Sequence, residues 1–398
     1  MRIYLNIFLL LSSISLATTP NTWVRVNDYT GNPRTGASAF VINDKAYVTN
    51  GYDGANYKNS LYRYDKSFDV WEKITDFPAM PRLHAISFSI GGKGYFGSGQ
   101  GLMQYTNDFW EFDTLTLAWT QKADIGGVPR KAASGVALNG KGYVGLGQSA
   151  TGYLNDWWEY DATTNIWTAK SNFGTTGRKE ASAFIGAGNC YITCGYDGAF
   201  KNDTWAYNPI TNTWTTKQVF PGTPRYNATS FTIGQSGFVG LGYDNTLNYK
   251  QDMWQYNPYT NSWIQVANFG GTAREGASAF VLNGEAYVCC GFDNAYNYDV
   301  WKYSPGLDVG INEVLFPNAI QMMYPSPTAE ALTVVVTDKF KNGSISISDI
   351  EGKIVLQQNM SNQTESHINV DFLKQGVYTV SLIEHSKIIT SKKIIKTN

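Results

Sequence analysis

The sequence predicts an all-β protein in which a six-bladed β-propeller is followed by a small C-terminal β-sandwich. Apolar and aromatic runs of four to six residues are separated by Gly, Asn, Asp and Pro, which is typical of short strands joined by turns. A unit of four such strands recurs six times, and tryptophans spaced 47 to 49 residues apart mark its boundaries: Trp23, Trp71, Trp119, Trp167, Trp214 and Trp263. Four-stranded units in such an array indicate a propeller, because no unit can bury its own core alone.

The first and last repeats are incomplete in complementary ways. The last repeat stops after its third strand, at residues 299–303, and the chain starts with an isolated tryptophan-containing strand at residues 22–26. We expect the N-terminal strand to complete the sixth blade, because closing the ring removes an exposed sheet edge. The predicted propeller domain covers residues 18–305.

The repeat resembles the kelch motif over about residues 22–305. The resemblance is carried by the Pro-Arg before the first strand, the tyrosine in a second strand that ends in glycine, the Gly-Tyr-Asp-Gly loop, and the spaced tryptophans of the third and fourth strands. Kelch second strands usually end in two glycines, and here only the second is constant. We expect only that position to require a backbone without Cβ; its members are Gly51, Gly99, Gly147, Gly195, Gly242 and Gly291.

The N-terminus has the pattern of an export signal. Residues 1–17 contain a positively charged Arg2, an apolar run at residues 7–11 and a small-x-small cleavage site at residues 15–17, which predicts a signal peptide. No later apolar run is long enough for a transmembrane segment.

The tail differs from the propeller in composition, since all 12 tryptophans precede it. Residues 306–323 are predicted to be a linker, and residues 324–398 show short alternating strands that predict a small β-sandwich. From the residues alone, this sandwich could also be a carbohydrate-binding module.

The tail resembles the type A C-terminal sorting domain of the type IX secretion system. The blocks that carry the resemblance include Tyr324-Pro-Ser-Pro-Thr328, Gly376-Val-Tyr378 and Lys392-Lys-Ile-Ile-Lys396. The resemblance implies that residues 324–398 bind the type IX secretion machinery. It also implies passage through the periplasm to the surface, or the surroundings, of a Gram-negative cell.

Composition excludes several classes of function. The net charge of -1 and the pI of about 6.3 provide no basic surface for nucleic acid. The four cysteines are expected to be buried free thiols, because the two in one short strand are too far apart to bridge and the other two are adjacent. No Cys/His set has zinc spacing, and we expect neither a metal nor a cofactor.

An arginine recurs before the first strand of every repeat. Two interpretations remain open: a buried guanidinium that bonds backbone carbonyls of the neighbouring blade, or a ring of cations at the channel mouth that binds carboxylates or sugar acids. The kelch resemblance places these residues near the face where ligands are bound, and they are candidate ligand-binding residues: Arg34, Arg82, Arg130, Arg178, Arg225 and Arg274.

The two residues after each arginine vary while the surrounding frame stays constant, as at a binding mouth or in tolerant loops. Lys131 and Lys179 are candidate ligand-binding residues. Glu180, Glu275 and His84 are candidate catalytic residues, and a glutamate beside an arginine would be the best acid/base pair. The aspartates that precede the third strand are predicted to be turn caps. Trp157 has no counterpart in the other repeats and is expected to be exposed, where a sugar could stack on it.

Two functions follow from these features. The first is a non-enzymatic binding protein at the cell surface, with a glycan or an extracellular protein as ligand at the channel mouth, because no nucleophile–base pair stands out. The second is a sugar mutarotase or epimerase resembling the kelch-type sialic acid mutarotases, with an arginine holding a sugar carboxylate and a Glu or His moving a proton. A copper radical oxidase is disfavoured, because the propeller contains only one histidine.

Overall fold

A computed structural model describes residues 21–174, 176–305, 320–324, 328–336, 343–349, 353–360, 362–384 and 387–397. The chain forms two compact units, residues 1–310 and residues 311–398. The predicted signal peptide at residues 1–17 lies outside the described residues. The part of the chain that the structure describes contains no helix that is long and apolar enough to cross a membrane.

The first unit contains six four-stranded antiparallel sheets, the blades, whose innermost strands contact one another in a ring. From the innermost strand outward, blades 1 to 3 consist of Ser38–Ile42, Lys45–Thr49, Ser60–Asp65 and Val70–Asp76; Ile86–Ile90, Lys93–Gln100, Tyr105–Asp113 and Ala118–Lys122; and Ser134–Leu138, Lys141–Gly145, Trp157–Asp161 and Ile166–Lys170. Blades 4 to 6 consist of Ser182–Gly186, Asn189–Thr193, Thr204–Asn208 and Thr213–Lys217; Thr229–Ile233, Ser236–Gly240, Met253–Asn257 and Ser262–Val266; and Ser278–Leu282, Glu285–Cys289, Val300–Ser304 and Thr22–Val26. The six-bladed propeller predicted from the repeats is confirmed.

Thr22–Val26 is the outermost strand of blade 6. It pairs antiparallel with Val300–Ser304, from Thr22 opposite Ser304 to Val26 opposite Val300. The two ends of the propeller are therefore joined in one sheet. Two pairs of two-residue strands add to the loops, Gln148–Ser149 with Gly152–Tyr153 and Arg225–Tyr226 with Tyr243–Asp244.

The hydrophobic core lies between blades. One cluster combines Phe88 and Phe109 of blade 2 with Val144 and Tyr160 of blade 3. The boundary tryptophans also join neighbouring blades, through hydrogen bonds. The indole N–H of Trp167 in blade 3, for example, donates to the carbonyl of Ala123, which follows blade 2, at 3.0 Å. Five of the six make such a bond, which explains why a tryptophan marks each repeat: Trp23, Trp71, Trp167, Trp214 and Trp263.

The end of each second strand combines two left-handed residues. Cys194, at the position where kelch repeats usually have their first glycine, has φ of 62°, and Gly195 has φ of 97°. A Cβ on Gly195 would lie 2.8 Å from the carbonyl oxygen of Lys179. Both positions therefore need a positive φ, but at the second a Cβ would also collide with backbone, which is why only the second is always glycine. All four cysteines are buried free thiols, as predicted.

The described residues of the second unit form two sheets. One contains Ile320–Tyr324, Ala331–Val336 and Glu365–Asn369, and the other contains Ile354–Asn359, Gly343–Ser348, Gly376–Glu384 and Lys387–Lys396. Residues of both sheets share one apolar core, which includes Val334 and Val380. The predicted linker at residues 306–323 is too long, because residues 320–323 belong to a strand that pairs with Ala331–Val336. Residues 306–319 of the predicted linker lie outside the described residues.

Candidate functional site

The six recurring arginines do not form a ring of free cations at the channel mouth. The six residues are 0–3% exposed, and each donates from Nη1 to the carbonyl of the left-handed residue 16 positions later, as Arg225 does to Leu241 at 3.0 Å. A buried guanidinium with these partners cannot bind an external carboxylate. The prediction of a ring of ligand-binding cations is wrong. The guanidinium groups are buried, as the structural interpretation expected, but the carbonyls they bond belong to their own blade and not to the neighbouring one.

Five of the arginines form a bidentate ion pair with an aspartate of their own repeat. Arg225 contacts both carboxylate oxygens of Asp252, at 2.6 and 2.9 Å, and the same carboxylate accepts the indole N–H of Trp254 at 2.8 Å. Burial disfavours the ionised Asp252, but the hydrogen bond and charge of Arg225 outweigh it and lower the pKa of the carboxyl group. The prediction that these aspartates are turn caps is therefore wrong: they are counterions, namely Asp108, Asp156, Asp203, Asp252 and Asp299.

The second residue after each arginine lines the central channel. Its backbone N–H donates to the equivalent carbonyl of the preceding blade, at 2.9 to 3.2 Å, so that six hydrogen bonds close a circle around the axis. Each residue has a positive φ of 52–62°. We call this set the channel ring: Gly36, His84, Ala132, Glu180, Asn227 and Gly276.

The channel ring and the six alanines that follow it enclose a cavity of about 140 Å³. The ring brings together two of the candidate residues, although blades 2 and 4 are not neighbours: Nδ1 of His84 lies 3.8 Å from Oε1 of Glu180. The other carboxylate oxygen of Glu180, Oε2, is buried and has no hydrogen-bond partner among the described residues. A buried acceptor of this kind is suited to a donor from a ligand.

Glu275 lies beside this group and accepts a hydrogen bond from Nδ2 of Asn227 at 3.3 Å. Burial raises the pKa of Glu275 to about 7; the hydrogen bond from Asn227 acts against this, and the charge of Glu180 adds to it. Burial also lowers the pKa of His84, against the charge of Glu180 and together with those of Lys131 and Lys179. The expected pairing of a glutamate with a recurring arginine does not occur among the described residues, because those arginines are paired inside the blades.

The two candidate lysines lie in neighbouring blades next to the channel ring. Nζ of Lys131 donates to Oε1 of Gln100 at 2.7 Å. Nζ of Lys179 lies 3.9 Å from Oε1 of Glu180 and 5.9 Å from the ring centre of Tyr196. Both are partly exposed and remain available to a ligand.

A chain of ten half-buried aromatic side chains follows the mouth through blades 1, 6, 5, 4 and 3 and was not predicted from the sequence. Consecutive ring centres are 5.0 to 6.1 Å apart, and contacts such as that of Tyr52 with Tyr296 cross from one blade to the next. We call this set the aromatic belt: Tyr57, Tyr52, Tyr296, Phe292, Tyr249, Tyr243, Tyr226, Phe200, Tyr196 and Tyr153.

The belt is connected to the channel ring through the backbone. In blades 1, 4, 5 and 6 the residue after the constant glycine is aromatic and pairs with the residue that precedes the channel ring, as Tyr52 does with Thr35. Blades 2 and 3 have Gln100 and Gln148 at this position. The mouth therefore has an aromatic side and a polar side, and the residue after the glycine was the sequence signal for it.

Trp157 is fully buried, at 0% exposure, so the prediction of an exposed stacking residue is wrong. Its ring packs against Trp214 and Tyr207 of blade 4, with centres 5.3 and 6.1 Å away. Both faces of a blade are covered by neighbouring blades, which is why a second tryptophan in a third strand is also buried.

The opposite end of the channel holds a larger cavity of about 440 Å³. It is lined by turns between innermost and second strands, at residues such as Gly91, Asn139 and Gln235, and no ionisable side chain lines it. The cluster of charged and aromatic side chains is confined to the other mouth, which is the better candidate for a site.

Comparisons with known proteins agree with the fold. Residues 33–78 match the Kelch motif, and residues 322–397 match the Secretion system C-terminal sorting domain. The solved structure titled "Structure of YjhT" is 16% identical with a TM-score of 0.58, and the match covers 69% of this chain and 95% of that chain. No match to a curated protein was found.

The chain is thus a kelch-repeat β-propeller with a C-terminal sorting domain of the type IX secretion system. The sorting domain directs it to secretion or to the cell surface of a Gram-negative bacterium, and it interacts with the type IX machinery.

Proposed function

We propose that the propeller binds carbohydrate at the mouth formed by the channel ring and the aromatic belt. The observation that carries the proposal is the aromatic belt beside a polar floor. The apolar faces of sugar rings pack on aromatic side chains, and tyrosine adds a hydroxyl that can hydrogen-bond. Small-molecule sites combine such apolar walls with a few polar groups that fix orientation.

The floor supplies those polar groups. Oε2 of Glu180 has no donor among the described residues, and Asn227 donates a hydrogen bond to Glu275. A sugar hydroxyl could donate to Glu180, and an analogue without that hydroxyl would leave the carboxylate unpaired, which is the basis of strong discrimination. Lys131 and Lys179 offer donors on the polar side of the mouth.

A glycan-array screen with the purified protein, followed by calorimetry with the glycans that bind, tests the proposal. Tyr249→Ala in the aromatic belt should weaken binding at least tenfold, and Glu180→Gln should weaken it as well. The matched control is Tyr259→Ala, since Tyr259 is 57% exposed on an outer turn of the same blade. Equal affinity of both tyrosine variants, or binding of proteins alone, would refute carbohydrate recognition at this mouth.

A sugar mutarotase is a second candidate, favoured by one observation. Glu275, whose pKa is raised to about 7, is suited to exchange a proton near neutral pH. In this version Lys131 or Lys179 would hold any sugar carboxylate, because the recurring arginines are buried. Proton NMR of each bound sugar would show accelerated anomeric exchange, which Glu275→Gln should abolish without abolishing binding. If the unmodified protein does not accelerate anomeric exchange, the mutarotase candidate is refuted and only the binding function remains.

A further inference from the structure

Blade 1 departs from the other five at the buried arginine. Ser60 stands where the other blades carry the aspartate counterion, and Tyr62 stands where they carry the tryptophan that bonds this aspartate. The residue under the guanidinium also differs: Tyr29 replaces the phenylalanine of four blades, such as Phe220 in blade 5.

Arg34 is nevertheless as buried as its counterparts, at 0% exposure. It donates to the carbonyl of Asn32 at 3.0 Å, to the carbonyl of Asn50 at 2.8 Å and to Oγ of Ser60 at 3.2 Å. These three bonds use three of the five donor hydrogens of a guanidinium. None of the described carboxylates forms an ion pair with it, so a buried cation is left without a counterion, which is costly in a protein interior.

Tyr29 gives a second, independent sign of a missing partner. The residue is 2% exposed, and the guanidinium carbon of Arg34 lies 5.1 Å from its ring centre. Its hydroxyl is buried and has no hydrogen-bond partner among the described residues. Phenylalanine at this position in four other blades shows that packing does not require the hydroxyl.

We propose that blade 1 contains a binding site for a small monovalent anion, such as chloride or formate, which replaces the missing aspartate carboxylate. The guanidinium of Arg34 supplies the charge, and the hydroxyls of Ser60 and Tyr29 supply further donors. Hydrogen bonds to an ionised partner are about twice as strong as neutral ones. The anion would restore in blade 1 the arrangement that aspartate provides in the other blades.

The position of the site gives the anion a structural role. The segment that carries Tyr29 and Arg34 bonds blade 6 directly, since their backbone N–H groups donate to the carbonyls of Tyr298 at 2.8 Å and Asn297 at 3.2 Å. This is the seam at which the ring closes. Anion binding should therefore stabilise the closed propeller by an amount that grows with the logarithm of the anion concentration above its dissociation constant.

The test is thermal unfolding of the full chain in sodium chloride and in sodium gluconate at equal ionic strength, because gluconate is too large for a buried site. We expect the unfolding temperature to rise by about 3 °C or more in chloride, and to rise with the logarithm of the chloride concentration. Sodium formate distinguishes a general site for small anions, where it acts like chloride, from a halide site, where it has no effect. Identical unfolding in all three salts would overturn the proposal.

Two variants that restore the common repeat sequence sharpen the test. Ser60→Asp supplies the counterion, and it should unfold at a higher temperature in gluconate and lose the chloride response. Tyr29→Phe removes only the hydroxyl and should weaken the affinity for chloride several-fold while the protein stays folded. The reverse change, Asp108→Ser in blade 2, should create a chloride response there. A Ser60→Asp protein that keeps the full chloride response would show that the anion acts elsewhere.

Discussion

Glu275 should make the stability of the propeller depend on pH in a way that one substitution removes. Its pKa is raised from 4.5 to about 7 in the folded protein, so folding favours the protonated carboxyl. The loss of folding stability caused by ionising Glu275 is absent below pH 4.5, grows as the pH rises from 4.5 to 7 and is constant above pH 7. A difference of about 2.5 units corresponds to about 3 kcal/mol. Water at the mouth screens this effect, and we expect Glu275→Gln to be more stable by about 1–3 kcal/mol at pH 8.

The assay is urea unfolding of the unmodified protein and of Glu275→Gln at pH 4.5 and at pH 8. The difference between the two proteins cancels the titrating groups that do not interact with Glu275, and it should be close to zero at pH 4.5 and appear in full at pH 8. Glu72→Gln is the control, because the Glu72 side chain is 60% exposed and paired with Arg63. A Glu275→Gln protein whose advantage is the same at both pH values would refute the reasoning.

Three further predictions test the fold. Asp252→Ala leaves the fully buried Arg225 without its carboxylate and should cost about 3–5 kcal/mol in chemical unfolding. Gly195→Ala should cost more than Gly198→Ala, because both have a positive φ but only at Gly195 would the Cβ meet a backbone oxygen within 3 Å; equal costs would contradict the collision. Trp157→Ala should lower the free energy of unfolding by about 3–5 kcal/mol and leave glycan affinity unchanged, whereas a selective loss of affinity would place Trp157 at the mouth.

The repeat frame made the fold predictable from the sequence. The strands, their order within a blade and the incomplete first and last repeats all depend on local patterns that recur, so an error in one unit is corrected by the others. The strand at Ile320–Tyr324 was missed because it occurs once, in a tail without such a repeat.

The site was less predictable, because its contacts join residues of different blades. His84 and Glu180 are two repeats apart and meet only because the channel brings blades 2 and 4 together. The sequence left open whether the arginines are buried in the blades or lie at the mouth, because their aspartate partners were not recognised. The aspartate 25 to 27 residues after each arginine was a usable signal, and its replacement by Ser60 in blade 1 was visible in the same alignment.

The central claim is that the mouth lined by the aromatic belt and the channel ring binds carbohydrate, and a crystal structure with the tightest-binding glycan tests it most directly. We expect a sugar ring packed on a side chain of the belt, with a hydroxyl about 3 Å from Oε2 of Glu180. A glycan bound instead in the cavity at the opposite end of the channel, near Asn139 and Gln235, would contradict the claim.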